Sequence, residues 1–166
     1  SLNEAFPNEN SYCVTALVAF DVLFAIDLLK NELSTEKKEA YLRIITPLIK
    51  YILNHKEEHA IISNHLATGA AALCLWTDLT GEDEDAYKVP LKVIFEHQSS
   101  EGWYLEYEGP DPGYQTLCTH YLSVLYRKTK DKRLNKSLEK SLDYLSYFVH
   151  PDGTIGGLYG SRNTEV

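Results

Sequence analysis

Apolar residues recur at helical spacing along most of the chain, and the breaks between these runs are short and polar or glycine-bearing. The pattern predicts a first helix over residues 11–32. A second, over 35–54, follows Ser34 and Thr35 and carries Glu36 and Glu39 near its start, where a helix N-terminus favours acids. Leu42, Ile45, Ile49, Ile52 and Leu53 draw one apolar stripe along it, and Pro47 predicts a kink or an early end. Residues 65–80 (HLATGAAALCLWTDLT) are alanine-rich and stop at Gly81, a helix-ending signal. Residues 84–98, blemished by Pro90, then 114–129 and 132–149 complete six helices, and no segment reads as a strand.

The ends of alternate helices are alike. "YILNHKEEHAIISNHLATG" leaves one helix through His55 and starts another near Asn64. "VIFEHQSSEGWYLEYEGPDPGYQT" does the same through His97 toward Tyr114, and "YFVHPDGTIGGLYGSRNTEV" passes through His150 toward Arg162 and Asn163. The period of about 50 residues is that of stacked helical hairpins, whose units cannot bury their faces alone. The first, third and fifth helices are apolar nearly all round, whereas the second, fourth and sixth carry Lys and Glu on one side, as at Lys37, Lys38, Glu39, Lys136, Glu139 and Lys140. The expected fold is therefore all-α: a two-layer array of about three antiparallel hairpins, with the apolar helices inside. Small Ala67, Ala70 and Ala71 would let helices approach closely.

Composition narrows the partners. The chain has 166 residues, enough for a single domain over 1–166, with 44% apolar and 24% charged residues. The longest apolar run, Cys13 to Leu29, holds Asp21 and Asp27, which argues for a buried helix and against a membrane partner. A net charge of −8 with scattered basic residues argues against nucleic acid. Cys13, Cys74 and Cys118 lack ligand or pairing spacing and read as buried thiols, so neither a metal nor a cofactor is expected. No signal peptide is visible, and the start at Ser1 with no Met anywhere reads as a piece of a longer protein.

Hairpins of this size, with a Gly102-Trp103 or Asp152-Gly153 turn after an outer helix, resemble the α/α-toroid superfamily. That group includes heparinase-like and alginate-type polysaccharide lyases, glucuronyl hydrolases and the terpenoid cyclase/prenyltransferase fold. The resemblance is one of repeat pattern and covers nearly the whole chain. Such toroids usually have more hairpins than are found here, which implies an arc of a toroid. It also implies that the loops leading into the inner helices gather at one rim. There the lyase pattern places an Asn and a His near the start of an inner helix and a Tyr from another repeat.

Asn64 and His65 match by type and placement, and Tyr104, Tyr107 or Tyr114 could supply the Tyr, with Tyr114 taken as the catalytic candidate. Elimination beside a uronate needs the carboxylate neutralised, a proton removed and a proton returned, tasks suited to Asn, His and Tyr. Trp103, Tyr104, Glu106, Tyr107, Asp111, Gln115, His120, Arg162 and Asn163 are the substrate-binding candidates. The expected partner is a saccharide or another small molecule at the rim, and a homo-oligomer is left open.

Plainer readings stand beside these. Asn64 suits a helix N-cap, His65 a loop-packing role, and His55, His97 and His150 the cation-favouring ends of helices. The tyrosines could simply pack the rim, and the Gly109-Pro110-Asp111-Pro112-Gly113 run fixes a turn. Arg162 and Asn163 suit an anion clamp or a cap. Gln98-Ser99-Ser100-Glu101-Gly102-Trp103 approximates a turn that braces helices in terpenoid cyclases, but the acidic signatures of that branch are missing. Asp83-Glu84-Asp85 is imperfect, and Asp21 and Asp27 look isolated. Glu106, Glu108 and Asp111 lie too close in one loop to flank a sugar as a glycosidase pair. A non-catalytic scaffold is the competing class.

Overall fold

A computed structural model describes residues 1–155 and 159–160. The described residues form α1 (Tyr12–Leu28), α2 (Thr35–Asn54), α3 (Ser63–Thr80), α4 (Lys88–His97), α5 (Pro112–Thr129) and α6 (Lys132–Ser146). Among the described residues the fold is all-α, with only isolated two-residue bridges between loops. α1, α3 and α5 lie side by side in that order. α2, α4 and α6 each pack behind the helix that precedes them, so the array is two-layered.

Several helix boundaries differ from those the periodicity predicts, for local reasons. α1 stops at Leu28, and the amides of Glu32 and Leu33 turn back onto the carbonyl of Leu29. α2 runs unbroken through Pro47. Arg43 and Pro47 both face solvent, so water can satisfy the carbonyl that proline leaves without a donor. Residues 82–87 are turns, with Asp83 and Asp85 in left-handed backbone, and α4 begins only at Lys88. Pro90 then falls in the first turn of α4, where its missing amide costs no helical bond. α5 starts early because Asp111 caps it, accepting from the amide of Tyr114 at 2.9 Å, with Pro112 at the first helical position.

α3 is the axis of the core. Ala67, Ala70, Ala71, Ala72 and Leu75 are fully buried among the flanking helices. The small side chains allow close approach, and Gly69 is at the limit: a methyl group there would collide with the Tyr12 hydroxyl of α1. On α5, Tyr121 packs edge-on to Phe20 of α1 at 4.9 Å, and Phe20 stacks on Phe24 at 5.4 Å. At the far end of the inner layer, Lys128 Nζ donates to Asp27 at 2.8 Å and Asp78 at 2.7 Å, tying α5 to α1 and α3. Asp27 is thus paired and not isolated.

The third hairpin is held by a polar seam. Gln98 Nε2 donates to the carbonyls of Gly102 at 3.0 Å and Ser137 at 2.9 Å. Gln115 Nε2 donates to Ser141 Oγ at 2.7 Å and to the Gly102 carbonyl at 3.2 Å, while its Oε1 accepts from the Tyr104 amide at 2.8 Å. The Tyr104 hydroxyl pairs with Ser137 Oγ at 2.9 Å. The Gln98–Trp103 turn therefore braces α6. Gly102, at φ +102, lies directly against the Lys140 backbone, where a side chain would meet the carbonyl oxygen.

Gly102→Ala should cost about 2–4 kcal/mol, because it combines a positive φ with a collision against rigid backbone. Urea unfolding should show a lower midpoint with an unchanged slope.

Candidate functional site

The connections into the inner helices do gather at one end of the array. The amide of Ser63 donates to the carbonyl of Leu105 at 3.0 Å, and the amide of Tyr107 to the carbonyl of Ile61 at 3.1 Å. The hydroxyl of Tyr51 donates to the carbonyl of Asn10, joining the N-terminal segment to the end of α2. On the other side, Gly160 lies close to the carboxylate of Asp111.

The pairing of residues 61–63 with 105–107 carries Glu106 over the N-terminus of α3. Ile62 occupies the N-cap position there and has no polar side chain to offer. Glu106 caps the helix from across the fold: Oε1 accepts the Asn64 amide at 2.9 Å and Oε2 accepts Asn64 Nδ2 at 2.7 Å. Asn64 is accordingly not the N-cap expected from its residue type. It sits inside the first turn, buried, with its side-chain amide given to Glu106. Burial pushes the Glu106 carboxyl up to about 7; the two bonds from Asn64 oppose the rise, and nearby Asp111 adds to it.

A second carboxylate, that of Glu57, also reaches the first turn of α3. Glu57 Oε2 is 2.7 Å from His65 Nδ1, and Oε1 is 2.9 Å from His59 Nδ1. The Glu57 side chain is only 4% exposed. Burial alone would raise its carboxyl, but the bonds from His65 and His59 outweigh that and hold it at about 2. An ionised carboxylate can only accept, so Nδ1 of His65 carries the proton and Nε2 is the nitrogen left for other work. Burial, with the Glu57 charge second, pushes the Tyr12 phenol up.

Tyr107 adjoins the start of α3, its amide bound to the Ile61 carbonyl. Its backbone is left-handed at φ +59, and the residue is 52% exposed. Burial of the phenol and then the charges of Tyr114, Glu106 and Glu57 raise it. Tyr114 is half-buried, one turn into α5 beyond Asp111.

The other candidates go elsewhere. Tyr104 and Gln115 are fully buried in the seam with α6 and present no polar atom to the rim. Trp103 is half-buried, its indole donating to Glu101 at 3.3 Å. His120 is exposed on α5, its ring near Phe20 and Tyr121. Arg162 and Asn163 lie outside the described residues. Sequence reasoning did not single out Glu57, His59 or Tyr12. The one available signal was an acid between two histidines, His55 and His59, just before an inner helix.

Two clefts open beside Glu57. One, of about 380 Å³, is mainly apolar and lies among α2, α3 and α4. The other, of about 760 Å³, is polar and borders the N-terminal segment. Among the described residues no group of three or more His, Cys, Asp or Glu side chains is placed to hold a metal ion, and no helix is long and apolar enough to cross a membrane. Compared with protein-family models, curated proteins and solved structures, the chain gives no significant match.

Stability should fall as pH rises from about 4.5 to about 7, to the extent that Glu106 controls it. In that window the folded chain keeps a proton on Glu106 that the unfolded chain has released, so raising the pH favours unfolding. Glu106→Gln should flatten this part of the profile, read as the wild-type minus variant difference in urea midpoint.

Proposed function

We propose that the rim of this array binds a saccharide, and that the chain is an arc of the α/α-toroid type. The observation that carries the reading is the pairing of residues 61–63 with 105–107, which sets the exposed Tyr107 beside the start of α3, where His65 is oriented by Glu57 at 2.7 Å. An aromatic ring held outward by left-handed backbone offers a stacking face, and the adjoining imidazole and phenols offer partners to hydroxyls. The repeat pattern adds support, because toroids of this kind commonly work at this rim.

The electrostatics favour an uncharged sugar. Glu57 is ionised and Asp111 adds negative charge beside Glu106, so a carboxylate-bearing ligand meets repulsion. The amide of Asn64 is engaged by Glu106, which leaves it poorly placed to neutralise a uronate. Lyase-type elimination is the second reading. What favours it is the Glu57–His65 pair, since a carboxylate that fixes Nδ1–H readies Nε2 to take a proton. A non-catalytic scaffold is favoured instead by the apolar edge of the first hairpin, where exposed Leu29 and Ile44 line a cleft of about 480 Å³.

Titration with neutral oligosaccharides, followed by calorimetry, tests the main reading. Saturable binding is expected, and Tyr107→Ala should weaken it about tenfold through loss of the stacking face. Lack of binding across neutral oligosaccharides would refute it. Incubation with uronate polymers, followed as new ultraviolet absorbance, tests the second reading. Any activity should fall about 100-fold or more in His65→Ala.

A further inference from the structure

The first hairpin leaves an apolar groove of about 480 Å³ open between its two helices. Val22, Ala25 and Ile26 of α1 and Leu29 just beyond it form one wall, and Tyr41 and Ile44 of α2 form the other. Ile44 is 69% exposed there and Leu29 49%. Among the described residues that line the groove, Asp21 alone carries a charge. The opposite edge of the inner layer differs: α5 exposes mainly polar residues, among them Thr116, His120 and Arg127. Polar outer faces close the ends of helical-repeat arrays, and the α1–α2 edge lacks one.

The next repeat shows what covers such a face. Counted from the helix starts at Tyr12 and Ser63, Val22 and Ala25 of α1 correspond to Leu73 and Trp76 of α3, and both of these are buried. Leu73 shares a cleft with Ile52 and Leu53, the last apolar residues of α2. In the second repeat, then, this face lies against the apolar end of an amphipathic helix. We propose that the α1–α2 groove docks an amphipathic helix of a partner protein, its apolar stripe laid along Val22, Leu29 and Ile44 and a lysine or arginine set against Asp21. Such a helix enters a groove through apolar anchors one turn apart. The sign of the charge follows from Asp21, which attracts a basic helix and disfavours an acidic one. α2 itself carries this chemistry, with four basic residues, Lys37, Lys38, Arg43 and Lys50, against two acidic ones, Glu36 and Glu39. The inference rests on the scaffold reading of this edge and leaves the saccharide reading untouched, because neither Tyr107 nor His65 lines the groove.

The test titrates the whole chain into a fluorescently labelled peptide copying α2, Thr35–Asn54, followed by anisotropy. A second peptide has its four basic residues replaced by glutamine. The basic peptide should bind saturably at one site, and the second about tenfold more weakly. Asp21→Asn should close most of that gap. Leu29→Gln combined with Ile44→Gln should weaken both peptides at least about tenfold by removing apolar anchors. Both residues are exposed, so the thermal transition of this variant should stay unchanged. Sedimentation of the chain alone should show a monomer. Self-association abolished by Leu29→Gln with Ile44→Gln would assign the edge to a second copy, overturning the helix partner while the scaffold reading stands. Absence of both peptide binding and self-association would overturn the two together. Equal affinity for the two peptides, or binding unaffected by the double variant, would also overturn the proposal.

Discussion

The constraint that organises this molecule is the near-complete enclosure of α3. From Ala67 to Trp76 every residue is buried, with α1 and α5 on its flanks and α2 and α4 behind. A helix so enclosed cannot be amphipathic, and where its neighbours come closest it cannot be bulky. The run of alanines with Gly69 meets both conditions, letting Tyr12 rest its hydroxyl on the helix backbone. The inner layer takes its spacing from this contact, and the loops at the two ends of the layer follow.

The polar groups of the third hairpin divide into two sets that look alike in sequence. Gln98, Tyr104 and Gln115 turn inward and are spent on the small serines of α6. Glu106 turns onto the start of α3, and Tyr107 stays exposed. The division follows from the close seating of Gly102 on α6, which draws the start of the connection against that helix. Its second half is drawn across to α3 by the Ser63 and Tyr107 amides. One loop thereby serves as both a structural tie and a display surface.

The architecture was largely legible from the chain. Helical periodicity, the contrast between all-round apolar and one-sided helices, and the recurring exits at His55 and His97 suffice to place six helices in two layers. These signals are local and repeated, so each reinforces the others. The site was legible only in part. Asn64 and His65 stand at the right place on α3, yet what each does is set by Glu106 and Glu57, which reach them across 42 and 8 residues. No periodicity encodes such bonds. Asn64 carries the composition of a cap and instead receives one, because Ile62 took the cap position and a glutamate from another hairpin filled the need.

That borrowed cap bears on the order in which the chain becomes native. During synthesis the start of α3 is complete long before Glu106 exists, and until then its first amides have only water as a partner. The central helix is therefore finished last at its own beginning, when the third repeat arrives. A chain cut after the second repeat would leave that terminus frayed, so hairpins that look modular in sequence behave at this point as one cooperative unit.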